Sequence, residues 1–261
     1  MAVDTLSLEG KVAIVTGSGR ENGIGAGIAL ALARNGASVV VNYVSDSTAQ
    51  RAQTVATVLR EAGAKDVIVV QASVDTLDGA KKLVKATLDE LKTNHIDILV
   101  NNAGTGTVVD MFNDLVTEEL DQTYRTNVHG PLFMINAVVP HMPAGGRIVN
   151  VSSSYSKNGN QLTPAYAASK AAVDNLTWSL AGVLGRSKGI TVNSILPGPV
   201  ITDIVPPEYV DQIMQPEIDI TRAEHRAGTQ ADIGDAVLLL VNEKARWITG
   251  QNISVSGGVS R

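Results

Sequence analysis

The stretch Val12-Ala13-Ile14-Val15-Thr16-Gly17-Ser18-Gly19-Arg20-Glu21-Asn22-Gly23-Ile24-Gly25 decides the fold. Its first four residues are apolar on both faces, the mark of a strand buried between two layers. The glycines that follow let the backbone turn tightly and approach a pyrophosphate closely. A helix-spaced stretch then runs over residues 25–35. Its amino end offers unpaired N–H groups and a positive dipole to phosphate oxygens. Asn22 is expected to cap it. Strand, glycine-rich turn and helix in that order predict a dinucleotide-binding unit.

The pattern continues outward from there. Short apolar runs fall at residues 39–42, 67–70, 98–100, 148–151, 191–196 and 252–255, with helix-spaced stretches such as 47–62 and 79–91 between them. Strands alternating with helices predict an α/β fold whose parallel sheet is covered on both faces. A length of 261 residues fits one such domain, and no linker, repeat or low-complexity tract divides it. Residues 204–228 are the least regular part and carry Pro206, Pro207 and Pro216. Coming just after a strand, they read either as a substrate lid or as an ordinary surface excursion.

Composition removes several functions. At 44% hydrophobic and 18% charged residues the chain is too apolar for disorder. A net charge of −5 with no basic run argues against a nucleic-acid partner. The lack of cysteine excludes disulfides, thiol catalysis and thiolate metal sites. His95, His129, His141 and His225 are not spaced as metal ligands, so they are expected on surfaces or loops and no metal is expected. No apolar run approaches the ~18 residues of a membrane helix, and residues 1–10 do not read as a secretory signal. A cytoplasmic protein without a membrane partner is expected.

The end of the second strand bears on cofactor choice. An acidic residue there would grip the ribose 2′-hydroxyl of NAD. This strand ends Val41-Asn42-Tyr43-Val44-Ser45, without a carboxylate, and Arg20 stands in the neighbouring turn. A neutral strand end beside a cation suits a 2′-phosphate, so NADPH/NADP+ is expected. Asp46, close by in sequence, opposes this.

Tyr166-Ala167-Ala168-Ser169-Lys170 places a phenol and an ammonium one helical turn apart on one face. A free phenol titrates near pH ~10, too high for proton transfer at neutrality. A nearby cation favours the phenolate, which makes tyrosine a usable acid and base. Upstream, Asn150-Val151-Ser152-Ser153-Ser154 closes a strand that should point into the same crevice. A hydroxyl there can hydrogen-bond a substrate oxygen on which charge develops. A Ser-His-Asp hydrolase is disfavoured, because no G-x-S-x-G elbow surrounds these serines. Tyr155, Tyr209 and Met214, with Ser153, are read as lining of an apolar pocket or as packing within their own loops.

Taken together, residues 16–25, Asn101-Asn102-Ala103-Gly104, Thr126-Asn127-Val128, Ser153, Tyr166 with Lys170, and Pro197-Gly198-Pro199-Val200-Ile201-Thr202-Asp203 resemble the short-chain dehydrogenase/reductase family over nearly the whole chain. Val41-Asn42-Tyr43 and Trp247-Ile248-Thr249-Gly250-Gln251 further resemble fungal NADPH-dependent ketone reductases of the polyhydroxynaphthalene and versicolorin type, which act in secondary metabolism. The resemblance implies a doubly wound Rossmann-type sheet of seven parallel strands with helices on both faces, in a single domain. It implies that Tyr166 protonates the carbonyl oxygen and that Lys170 lowers the tyrosine pKa and holds the nicotinamide ribose. Ser153 would steady the substrate oxygen, and Asn127 would keep a water in a proton relay. Cofactor contacts are implied at Gly17, Arg20, Gly23, Ile24 and Gly25, and at Asn42, Tyr43 and Ser45. Further contacts are implied at Ser73, Val74, Asn102, Ala103, Gly104, Pro197, Gly198, Val200 and Thr202. The implied substrate is a small-molecule ketone or alcohol, and the implied assembly is a homotetramer or homodimer with the helix of Tyr166 and Lys170 at one interface. A non-redox lyase or isomerase, or a cofactor-binding sensor, is the alternative on the same scaffold.

The chain departs from the family pattern twice. Glu21 and Asn22 lengthen the turn, and an acidic side chain beside a pyrophosphate must point to solvent or pair with a cation such as Arg20. Ser73 stands where an aspartate commonly meets the adenine, so weaker adenine recognition is expected.

Overall fold

The computed structural model describes residues 6–106, 116–203 and 210–260. Seven strands form one sheet: β1 (Val12–Val15), β2 (Ser38–Tyr43), β3 (Val67–Gln71), β4 (Ile98–Asn101), β5 (Arg147–Val151), β6 (Thr191–Pro197) and β7 (Asn252–Val255). All neighbours pair parallel, in the order β3-β2-β1-β4-β5-β6-β7. Parallel neighbours need crossovers, and these are helices: α1 (Ile24–Ala33), α2 (Ala49–Glu61), α3 (Leu77–Glu90), α4 (Thr117–Tyr124), α5 (Gly130–Val138), α6 (Tyr155–Asn158), α7 (Pro164–Lys188), α8 (Val210–Ile218) and α9 (Gln230–Val241).

The strand residues alternate between two cores. Ala13 and Val15 pack with Ile28 and Leu32 of α1, Val55 of α2 and Val237 of α9. Ile14 points the other way, into Leu83 of α3, Met134 of α5 and Leu184 of α7. This explains why the strands read as unbroken apolar runs: both faces are covered. On the first face α1 and α9 lie close, because a Cβ on Gly27 would come within 2.5 Å of Gln230 O and one on Gly234 within 2.5 Å of Gly27 O. That packing brings the start of α9 beside the glycine turn.

The strand order reverses between β1 and β4, which opens a crevice at the carboxyl ends of those strands. The turn at residues 16–25 borders it. Two expectations are corrected here. Gly23, not Asn22, is the cap residue of α1, and no side chain caps that helix. The Asn22 amide is instead turned to Asp203. Residues 210–218 of the expected irregular segment form α8, with Pro216 inside it and Met214 buried. Residues 204–209, Tyr209 among them, lie outside the described residues. Among the described residues no helix is long and apolar enough to cross a membrane, and no group of residues is arranged to hold a metal.

Candidate active site

The glycine turn is held from below. Ser18 Oγ donates to Val15 O at 2.7 Å and accepts from Asn42 N at 3.1 Å. Asn42 Oδ1 accepts from Gly17 N at 3.0 Å, and its Nδ2 donates to Ala72 O at 2.9 Å. Asn42 is fully buried, and its amide is spent on shaping the turn. Removing it would orphan the Gly17 N–H and the Ala72 carbonyl. Asn42→Ala is therefore expected to cost about 1–3 kcal/mol in urea unfolding; a loss below the error of the method would show that water replaces the amide. Asn102 works from the other side, with Nδ2 on Thr16 O at 2.8 Å, and Thr16 Oγ1 accepts from the N–H groups of Asn102 and Ala103, both at 3.0 Å.

The residues fit a dinucleotide. Gly17 has φ of +64°, and a Cβ there would lie 2.9 Å from Ala103 Cα. A Cβ on Gly25 would lie 2.5 Å from Asn102 Nδ2 and 2.8 Å from Gly17 O. The opening N–H groups of α1 have no side-chain cap to answer them. Arg20 and Ser45 are exposed beside the turn, with Tyr43 half-buried. Asp46, the residue that opposed NADP, accepts from Gln71 Nε2 at 2.6 Å and so has a partner within the protein. Glu21 pairs with Arg51 on α2 at 2.6 Å, not with Arg20. Arg51 also binds Asp203, whose carboxyl its guanidinium holds below the usual carboxylate range. At the end of β3, Ser73 donates to Asp75, which also accepts from Gln122 at 3.2 Å, and Val74 is buried. Where the sequence offered Ser73 alone, the structure sets a carboxylate behind it.

Tyr166 and Lys170 come together on α7. Lys170 is buried, and its Nζ donates to Val151 O at the end of β5 at 2.8 Å. It lies 5.5 Å from the centroid of the Tyr166 ring. Ser153 hydrogen-bonds the Tyr166 hydroxyl. A Cβ on Gly106 would meet Tyr166 Cδ2 at 2.7 Å, and one on Gly104 would lie 3.3 Å from both Lys170 Nζ and Asn127 Oδ1. The chain after β4 thus lies directly across the tyrosine–lysine pair. Asn127 fixes that chain: its Oδ1 accepts from Thr105 N at 2.9 Å, while Nδ2 donates to Thr105 O at 2.8 Å and Ser169 Oγ at 2.9 Å. It sits in a π-helical turn, Arg125–His129, an irregularity that recurs at functional sites.

The expected depression of the tyrosine is corrected. Burial pushes Tyr166 up to about 12, with the Ser153 hydrogen bond pulling the other way. Burial pushes Lys170 down to about 8, opposed by the Asp174 carboxylate. Both groups leave water together, and desolvation is the largest cause of each shift. Asp174 escaped the sequence reading, although it stands four residues beyond Lys170 on the same helical face. It is buried, and binds Lys157 at 2.9 Å and Ser156 Oγ at 2.7 Å.

On the flank of α7, an open groove of about 700 Å³ is lined by Tyr155, Asn160, Gln161, Pro164, Ala167 and Ala168, among others, and by neither Tyr166 nor Lys170. Tyr155 lines it; Ser153 and Met214 do not. The Tyr155 hydroxyl hydrogen-bonds Glu217 of α8, whose carboxyl burial pushes up. Pro197 ends β6, Gly198 N donates to Val255 O at 3.2 Å, and Val200, two residues before Thr202, is buried and bridges to Gly228.

A family profile described as "Enoyl-(Acyl carrier protein) reductase" matches residues 17–260. The chain is 39% identical to "Short-chain dehydrogenase/reductase FrzI" of a Cladobotryum species, over 97% of both chains. It is 35% identical to "Versicolorin reductase 1" of Dothistroma septosporum over the full length of each. Among solved structures it is similar to an angucycline C-6 ketoreductase, LanV, crystallised with NADP, at a TM-score of 0.86 and 32% identity, covering 97% of this chain and 96% of that one. The seven-stranded parallel sheet agrees with the structural likeness, and the chain belongs to the short-chain dehydrogenase/reductase family.

Proposed function

We propose that the protein is an NADPH-dependent reductase of ketones, with Asn127, Ser153, Tyr166 and Lys170 as its working residues. The observation that carries this is the buried Lys170, tethered to Val151 O beside a tyrosine whose hydroxyl is bonded to Ser153. Gly17, Gly23, Ile24 and Gly25 would hold the pyrophosphate, Arg20, Tyr43 and Ser45 the 2′-phosphate, and Ser73 and Val74 the adenine. Asn102, Ala103 and Gly104 would pass beneath the adenosine side, and Pro197, Gly198, Val200 and Thr202 would meet the nicotinamide end. Bound there, NADPH supplies the hydride. Ser153 donates a hydrogen bond to the substrate carbonyl oxygen, and Tyr166 gives that oxygen its proton. Lys170, as the ammonium, steadies the phenolate left behind.

The relatives named for versicolorin and angucycline ketone reduction support a cyclic or polyphenolic substrate. The exposed Trp178 and Val183 of α7, with the exposed Trp247, support a homodimer or homotetramer that covers them. A cytoplasmic site of action suits a reductase, since NADPH is kept reduced there.

The test is direct. NADPH and NADH are titrated by fluorescence, and cyclic and aromatic ketones are then added while cofactor absorbance is followed. Tight NADPH binding with ketone-dependent oxidation is expected; binding without oxidation across the panel would sink the proposal. Lys170 adds a pH signature. The ammonium is the form present below pH about 8, so kcat should be level on the acid side and fall as pH rises through that value. Lys170→Met should lower the rate and abolish that limb; an unchanged limb assigns it to another group.

A further inference from the structure

Glu21 and Asn22, the two residues that lengthen the glycine turn, take part in a network that crosses the molecule's ligand crevice. Arg51 of α2 donates Nε to Glu21 at 2.6 Å and Nη2 to Asp203. Asn22 Nδ2 donates to the same Asp203 at 3.4 Å. Gln230, at the start of α9, donates Nε2 to Asn22 O at 3.1 Å and to Ile201 O at 3.3 Å. Four elements meet here: the turn before α1, the first turns of α2, the segment after β6 and the start of α9. In the sheet β6 stands three places from β1, on the far side of the point where the strand order reverses. The network therefore joins the two sides of the crevice.

The charges are balanced within it. Two carboxylates answer one guanidinium, and Arg20 adds its field at Asp203. Glu21 and Asp203 are close enough to repel each other when nothing stands between them. The acidic residue that looked unsuited to a phosphate turn is thus neutralised from α2. The side chains of Glu21, Arg51 and Asp203 are 36%, 33% and 30% exposed, so the link lies at the surface, where it is free to open.

We propose that Glu21, Arg51 and Asp203 form a clasp across the dinucleotide crevice, with Arg51 as a positioning residue that slows cofactor departure. The proposal rests on the NADPH reading above. Replacing Arg51 by glutamine removes the guanidinium and leaves two carboxylates facing each other across the opening.

The experiment is stopped-flow release of NADPH and of NADH from the full chain, read as loss of cofactor fluorescence on chasing with excess NADP+. In Arg51→Gln both should leave about three- to tenfold faster, the span that one or two partly exposed ion pairs can hold. Glu21→Gln should give a smaller acceleration, and the double variant less than the product of the two single effects. Unchanged release in both single variants would overturn the clasp while leaving the reductase reading intact. Faster release of NADPH alone would also overturn it, making Arg51 a ligand of the 2′-phosphate. Failure of the unaltered protein to bind either cofactor would overturn the reading beneath it before any variant is compared.

Discussion

Tyr166→Phe should lower ketone-dependent NADPH oxidation by about 10²–10⁴-fold, the range that a positioned proton donor supplies. The NADPH dissociation constant should hardly change. Phenylalanine keeps the ring that Gly106 packs against, where a Cβ would already meet Cδ2 at 2.7 Å. Only the hydroxyl and its bond to Ser153 are lost. Single-turnover kinetics with bound NADPH separate the proton step from cofactor binding. A rate within tenfold of the parent would mean that another group delivers the proton, and the role of Tyr166 would reduce to packing.

Gly25→Ala should be the most damaging single methyl group in the chain's phosphate turn. Its Cβ would sit 2.5 Å from Asn102 Nδ2, 2.8 Å from Gly17 O and 2.9 Å from Ser18 Cα. Two of these are backbone atoms with no freedom to swing aside. Asn102 is tied to Thr16 O and Gly17 O, so moving it breaks bonds that hold the turn. Overpacking of this kind costs about 1–3 kcal/mol. Some of that strain falls on the folded state and some on the bound one, so NADPH affinity should fall by roughly ten- to a hundredfold and the melting temperature should drop. Parental affinity in this variant would show that the turn does not hold the pyrophosphate.

The fold was legible because the central strands are covered on both faces, and such strands advertise themselves as apolar runs. All seven runs are strands, with ends displaced by a residue or so: 39–42 became Ser38–Tyr43 because the flanking serine and tyrosine also enter the ladder. α8 was not legible. Pro216 argued against a helix, yet it lies inside a short one, where its missing N–H gives up a bond to the preceding turn.

In the site, the spacing of Tyr166 and Lys170 put them one helical turn apart, but it was Ser153 upstream and the family resemblance that made them candidates. The partners of Glu21 and Asn42 were not legible. Arg51 lies 30 residues from Glu21 and 152 from Asp203, and only the packing of α2 against the turn brings the three together. Asn42 looked available because polar residues at strand ends often face a ligand. Its burial follows from the turn folding back over β2, where a Cβ on Gly19 would meet Tyr43 Cβ at 2.8 Å. The direction of the Tyr166 shift was also out of reach, since it depends on desolvation that no local motif records.

Lys170 hangs from the carbonyl of the last residue of β5, and Asn127 ties down the chain leaving β4. Tyr166 and Lys170 are thus carried by α7 and anchored to the ends of β5 and β4, whereas Tyr155, Asn160 and Gln161 belong to the chain between β5 and α7. Under the reductase reading, substrate preference and chemistry would be heritable separately: a lineage, or a laboratory, that rewrites residues 155–161 would change what is accepted while leaving Tyr166 and Lys170 untouched.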